Sequence, residues 1–353
     1  MDRRHFLKMT GSASGLGYAA LAGMSSGFAS RASAQAATLR VMHYGGPYAA
    51  FEKIIGGPFA SSKLGQVQYS ADLTTTAYAK LEADPKNPPY DVFMSVRTLS
   101  VRYANSGLLA NIDQTLVPNL SGLDKESIVP GGTGVAMILE NLDLMYNKKA
   151  AKTPVTSWLD MWRPEFAGRI ALAASNTVTP LYLIAMYTRA IGANERDAKA
   201  VEEAFAKYRE LKSAVRSFTT DPIQVSTMID RGEADIGIQY GIRISTAAAQ
   251  NPDLGAVTPK EGVIAVPLDL VIPKQTANLA LAYKYVDFVL SPEIQKSVAE
   301  TFTATPANKT TPLSAEVKAK ILTDYSKLVY FDEAYLGTVR EAWLGRWQRE
   351  VQR

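Results

Sequence analysis

Leu39-Arg40-Val41-Met42-His43-Tyr44-Gly45-Gly46-Pro47 decides the architecture. A short β-like run breaks at two glycines and a proline, after which Tyr48 to Ile55 starts a helix. The same grammar recurs along the chain. Val67 to Tyr69 reads as a second strand. Asp91-Val92-Phe93-Met94-Ser95 and Asp235-Ile236-Gly237-Ile238-Gln239-Tyr240 are short apolar runs that end on a polar residue, as strands buried in a parallel sheet do. Between them lie helical periodicities. From about Asn194 to Ala214, Val201, Ala204, Phe205, Tyr208 and Leu211 recur at steps of three and four, with Glu203 and Lys207 four apart on the solvated side. Leu279 to Leu290 is a further helix, and Ser291-Pro292-Glu293 restarts another with Ser291 as its cap. Alternating strands and helices predict an α/β fold. In parallel sheets, ligands sit beyond the carboxyl ends of the strands, which selects Tyr44, Ser95 and Tyr240.

The bulk of the sequence narrows the setting. Residues 1–34 have the order of an export signal. A basic start (Arg3, Arg4, Lys8) precedes an apolar run from Met9 to about Ala29, and Ala32-Ser33-Ala34 offers a small-residue cleavage site. The pair Arg3-Arg4 before Phe6-Leu7 predicts the twin-arginine route, and hence a periplasmic location. Cleavage after Ala34 removes Arg3, Arg4, Lys8 and Arg31 against Asp2 and lowers the net charge from +4 to +1. Such a chain has no basic surface for nucleic acid. The sequence has no cysteine, which removes disulfides and thiolate chemistry. The 319 residues after Ala34 exceed what one core usually holds, so two lobes are expected.

Further segments carry a resemblance. Val155 to Ile170, with Thr156-Ser157-Trp158-Leu159-Asp160-Met161-Trp162-Arg163-Pro164-Glu165 and Gly168, resembles a marker segment of bacterial spermidine/putrescine-type solute-binding proteins of ABC importers. Tyr90-Asp91-Val92 with Ser95, Gly232-Glu233-Ala234-Asp235 to Gly241, Lys260-Glu261-Gly262 through Pro273, Ser291-Pro292-Glu293 and Thr305-Pro306-Ala307-Asn308 agree in order. The resemblance implies a two-lobed periplasmic-binding-protein fold of type II, with two mixed sheets joined by crossing strands at Met137 to Asn147 and Ala265 to Pro273. The expected lobes are 35–140 plus 270–315 and 141–269, with C-terminal helices over 316–353 packing on both. It also implies a monomer without cofactor that closes by hinge bending and hands a small-molecule ligand to a membrane permease. Trp158 and Trp162 read as core packing.

The sequence departs from the polyamine pattern where a dication would need countercharge and ring faces. The family's tryptophan and aspartate positions near the second crossing fall on Val266 and Leu268, with Asp269 alternating to the other face unless Pro267 bulges the strand. A further family tryptophan falls on Tyr240. Arg97 and Arg243 offer planar forks for an anionic group, and Tyr44, Tyr48 and Tyr78 offer aromatic walls. Thr177, with Asn176 and Thr179, supplies neutral hydrogen bonds from the second lobe. The expected ligand residues are thus Tyr44, Tyr48, Ser95, Arg97, Thr177, Tyr240, Arg243 and Asp269, with a polyamine-like, amino-acid-like or zwitterionic solute.

Enzymatic readings have little to work with. His43 is the sole histidine outside the signal, and no G-x-S-x-G elbow accompanies it. Gly131-Gly132-Thr133-Gly134 lacks the lysine of a phosphate loop and reads as a turn before a crossing strand. The alternatives are a ferric-iron carrier, for which an adjacent tyrosine pair is missing from the second lobe, and a secreted hydrolase working with carboxylates alone.

Overall fold

The computed structural model describes residues 37–353; the expected signal segment, residues 1–34, lies outside them. Eleven strands share one hydrogen-bonded sheet: β1 (Thr38–His43), β2 (Gln66–Ala71), β3 (Val92–Val96), β4 (Val135–Asn147), β5 (Ile170–Ala173), β6 (Val215–Thr219), β7 (Ile236–Tyr240), β8 (Leu254–Val257), β9 (Val263–Val271), β10 (Thr305–Pro306) and β11 (Leu328–Val329). The central path runs β2-β1-β3-β9-β4-β7-β5-β6. β1 pairs in parallel with β2 and β3, and β5 with β6 and β7, so each half is a short parallel sheet. The antiparallel pair β4–β9 joins the halves. The two expected sheets are therefore continuous, because both crossing strands keep their ladder through the junction.

Among the described residues eleven helices accompany this sheet: α1 (Gly57–Ser61), α2 (Thr74–Ala83), α3 (Arg97–Tyr103), α4 (Thr179–Ala190), α5 (Ala198–Leu211), α6 (Pro222–Asp230), α7 (Gly241–Gln250), α8 (Leu279–Leu290), α9 (Pro292–Phe302), α10 (Ala315–Lys318) and α11 (Glu333–Arg346). The chain is two-lobed because the apolar side chains gather into two principal cores. One contains Leu39, Val41, Phe59 and Val92 with Val286 and Val298. The other contains Ile170, Leu172, Ile236 and Phe205, and the C-terminal Trp343 and Trp347 pack into it. Trp158 is buried there too, donating its indole N–H to the Gly262 carbonyl at 2.8 Å, which confirms a structural role.

α5 buries the five residues that its periodicity selects, but it starts at Ala198, because the Asp197 side chain accepts the N–H groups of Lys199 and Ala200. On its outer side Lys207 pairs with Glu210, while Glu203 accepts the Tyr187 hydroxyl instead of pairing with Lys207. Ser291 precedes α9, yet its hydroxyl donates to the Phe288 carbonyl and makes no cap bond. Gly131 and Gly132 adopt φ of 80° and 71°, so this glycine-rich stretch is the turn that delivers β4.

Candidate functional site

The ends of β1 and β7 meet a cavity of about 690 Å3 between the halves of the sheet. Tyr44, Tyr48, Tyr240 and Arg243 line it. Tyr44 follows β1 and gives its hydroxyl a partner in Thr74 Oγ1 at 2.7 Å. Tyr48 stands edge-on to it, 5.6 Å between ring centroids, and stacks on Phe302 at 5.8 Å. Tyr240 ends β7, and Arg243 follows in the first turn of α7.

β9 supplies the apolar part of the wall. Val266 and Leu268 face this cavity. Ala265 and Pro267 face a separate cavity of about 380 Å3, as alternation along a strand requires. The fold thus realises the departure from the polyamine pattern as an apolar surface.

Glu140 is the residue that sequence reading missed. It sits in β4 opposite Val266, is 7 % exposed, and lines the same cavity. The Tyr48 hydroxyl donates to its Oε1 at 3.0 Å. Burial pushes its carboxyl above the ordinary range, while Tyr48 and the positive charge of Arg243 work against that shift. Burial also pushes the Tyr240 hydroxyl up to about 12, with Glu140 adding to the effect. Among the described residues, neither Glu140 nor Arg243 has an ion-pair partner within 4 Å, so a buried negative group and a guanidinium face one cavity unpaired.

The other four expected residues do not line it. Ser95 is fully buried, takes the Ser100 hydroxyl at 2.8 Å and lies 3.3 Å from the Tyr78 hydroxyl. Tyr78 itself stacks on Tyr103 at 3.9 Å. Thr177 donates to the Ala174 carbonyl at 3.1 Å, Asn176 donates to the Thr220 carbonyl, and Thr179 is buried at the start of α4. Arg97 and Asp269 form a buried ion pair, with Nη2 to Oδ1 at 2.6 Å and Nε to Oδ2 at 2.9 Å. Two further guanidinium donors go to the carbonyls of Glu126 and Ser127. Burial opposes the charge on Arg97 and the Asp269 carboxylate favours it, and the second effect wins. His43 is also in use, taking the Gly45 N–H on Nδ1 at 2.8 Å with Nε2 3.2 Å from Glu52.

A family model for bacterial extracellular solute-binding proteins matches residues 48–323. The chain belongs to this family of extracellular solute-binding proteins. Among its relatives, the spermidine/putrescine-binding periplasmic protein of Escherichia coli is 28 % identical over 237 residues, 64 % of this chain and 65 % of that protein's length. The gamma-aminobutyric acid-binding protein of Pseudomonas aeruginosa is 29 % identical over 300 residues, 80 % of this chain and 81 % of the relative. The fold of this solute-binding protein matches an extracellular solute-binding protein from Bordetella parapertussis, with a TM-score of 0.80 at 20 % identity over 89 % of this chain and 98 % of the other. It also matches the spermidine/putrescine ABC transporter substrate-binding protein PotD of Streptococcus pneumoniae, with a TM-score of 0.73 at 19 % identity over 88 % and 98 %.

Proposed function

We propose that the protein works in the periplasm, reached by the twin-arginine route, and captures a small zwitterion carrying one ammonium and one anionic group. It then hands this solute unchanged to the permease of an ABC importer. The observation that carries the ligand class is the pair of opposite, unpaired charges in one cavity. Glu140 supplies the countercharge for an ammonium, and Arg243 supplies a planar fork for a carboxylate or phosphonate. The rings of Tyr44, Tyr48 and Tyr240, with Val266 and Leu268, cover the apolar part of the solute. A relative whose name records γ-aminobutyric acid, a zwitterion, supports this reading.

The lobes proposed to move are 37–140 plus 270–315 and 141–269, hinged where β4 and β9 cross, with 316–353 packed behind. Glu140 lies on a crossing strand, Tyr44 and Tyr48 in the first lobe, and Tyr240 and Arg243 in the second. Ligand held by the first group gains the second only on closure, and reversing a 1:99 open–closed balance takes about 5.5 kcal/mol of such contacts.

A second reading rests on Asp230, a further carboxylate on this cavity's wall, which with Glu140 would suit a dication such as putrescine. Isothermal titration with γ-aminobutyrate and putrescine separates the two. For the zwitterion, Glu140→Gln and Arg243→Ala each cost about 2–4 kcal/mol, roughly 30- to 1,000-fold in Kd, because each leaves a charge buried without its partner. Tighter putrescine binding in Arg243→Ala than in the wild type would establish the dication instead. Failure of both solutes, and of other zwitterions in a thermal-shift series, would remove the ligand reading.

A further inference from the structure

A third cavity, about 460 Å3, lies on the other side of α7. Gly241, Ile244 and Ser245 of that helix face it, whereas Arg243, Thr246 and Ala247 face the ligand cavity. Thr303 lines both. Its wall on β4 is made by Asn141 and Asp143, two residues apart and therefore on one face of the strand.

Asp143 is 4 % exposed. One of its oxygens accepts the adjacent Leu144 N–H at 2.8 Å, and the other has no hydrogen-bond partner among the described residues. The Asn141 carboxamide forms no hydrogen bond to a described residue either. The chain makes room for that carboxamide with a glycine: a Cβ on Gly241 would stand 2.5 Å from Asn141 Oδ1. The hydroxyls of Thr258 and Thr303, also on the wall, likewise have no partner among the described residues.

A buried carboxyl is normally paired or hydrogen-bonded on both oxygens, since an uncompensated charge there is costly. Burial pushes the Asp143 carboxyl well up, and only the Leu144 N–H works against it. Lys320 of the same wall is engaged by Glu316 at 2.7 Å, and neither it nor Lys327 forms an ion pair with Asp143. A wall of a carboxylate, an amide and hydroxyls suits a small cation with several N–H donors.

We propose that this cavity is a second binding site, distinct from the ligand cleft, for a small organic ammonium ion held by Asp143, Asn141 and the Thr258 and Thr303 hydroxyls. Thr303 and the two faces of α7 lie between this site and the ligand cavity.

The test uses n-butylammonium chloride with the full chain, by titration calorimetry and native mass spectrometry. Glu140→Gln combined with Asp230→Asn removes both carboxylates that line the front cavity, so binding to this double variant reports the second site. One saturable equivalent is expected there, and Asp143→Asn added to it should weaken binding at least 30-fold. The amide is isosteric and still accepts the Leu144 N–H, and an unchanged near-UV spectrum shows that the fold is intact. Asn141→Ala should weaken the same equivalent less, about tenfold. No binding in the double variant, or binding that Asp143→Asn leaves unaltered, overturns the site without touching the proposal for the front cavity.

Discussion

Replacing Arg97 by methionine should cost about 3–5 kcal/mol of stability, because it leaves Asp269 charged and unpartnered in the interior. Asp269 is fully buried, and three of the hydrogen bonds recorded for Arg97 end on its carboxylate. Two further bonds from the same guanidinium tie down the carbonyls of Glu126 and Ser127, so the substitution also strands two acceptors. For a chain of this length the loss reads as a melting temperature lowered by roughly 4–8 °C. The paired change Arg97→Met with Asp269→Leu removes both charges and should recover most of the loss, since a buried ion pair is worth little more than apolar side chains of similar volume. Solute affinity at a temperature where all variants are folded should stay within about threefold of wild type. The opposite pattern, unaltered melting with binding abolished, would return Arg97 to the ligand site.

That pair also shows where sequence reading reaches its limit. Tyr44 and Tyr240 could be found because position at the end of a parallel strand is itself a spatial statement. Arg243 follows from the same logic one turn later. Ser95 satisfies that rule too, yet Ser100 and Tyr78 occupy its hydroxyl, and such partners are invisible without coordinates. Arg97 and Asp269 lie 172 positions apart, so nothing in either segment reveals that each is spent on the other. Alternation predicts that Asp269 points away from Val266 and Leu268, and Asp269 lines neither of the two cavities between which β9 divides its neighbours. Glu140 was missed because strand-end logic looks past strand interiors. The available signal was an acid interrupting the apolar run Val135-Ala136-Met137-Ile138-Leu139 in a strand already marked as a crossing. The crossing strands themselves were legible, while their fusion into one continuous sheet depends on ladder bonds that composition does not encode.

Glu333→Gln should change the pH dependence of stability more than its value at low pH. Glu333 opens α11 next to the capping Asp332, accepts the Tyr182 hydroxyl at 2.8 Å, and has a second oxygen that is buried without a partner. Burial pushes its carboxyl up to about 7; the Tyr182 bond and Arg97 pull against that, and Asp269 and Asp332 reinforce it. In the unfolded chain the same carboxyl titrates near 4.3. Between those values the folded form binds a proton that the unfolded form has released, so stability falls as pH rises through this window and levels off above it. A shift of that size corresponds to about 4 kcal/mol. Glutamine stays neutral and keeps an oxygen for Tyr182. Urea unfolding should therefore find the two proteins within about 1 kcal/mol at pH 4.5, and the variant ahead by about 4 kcal/mol at pH 8. A stability difference that stays flat between those pH values would mean that Glu333 is already ionised in the folded protein, with Arg97 serving as countercharge to two carboxylates.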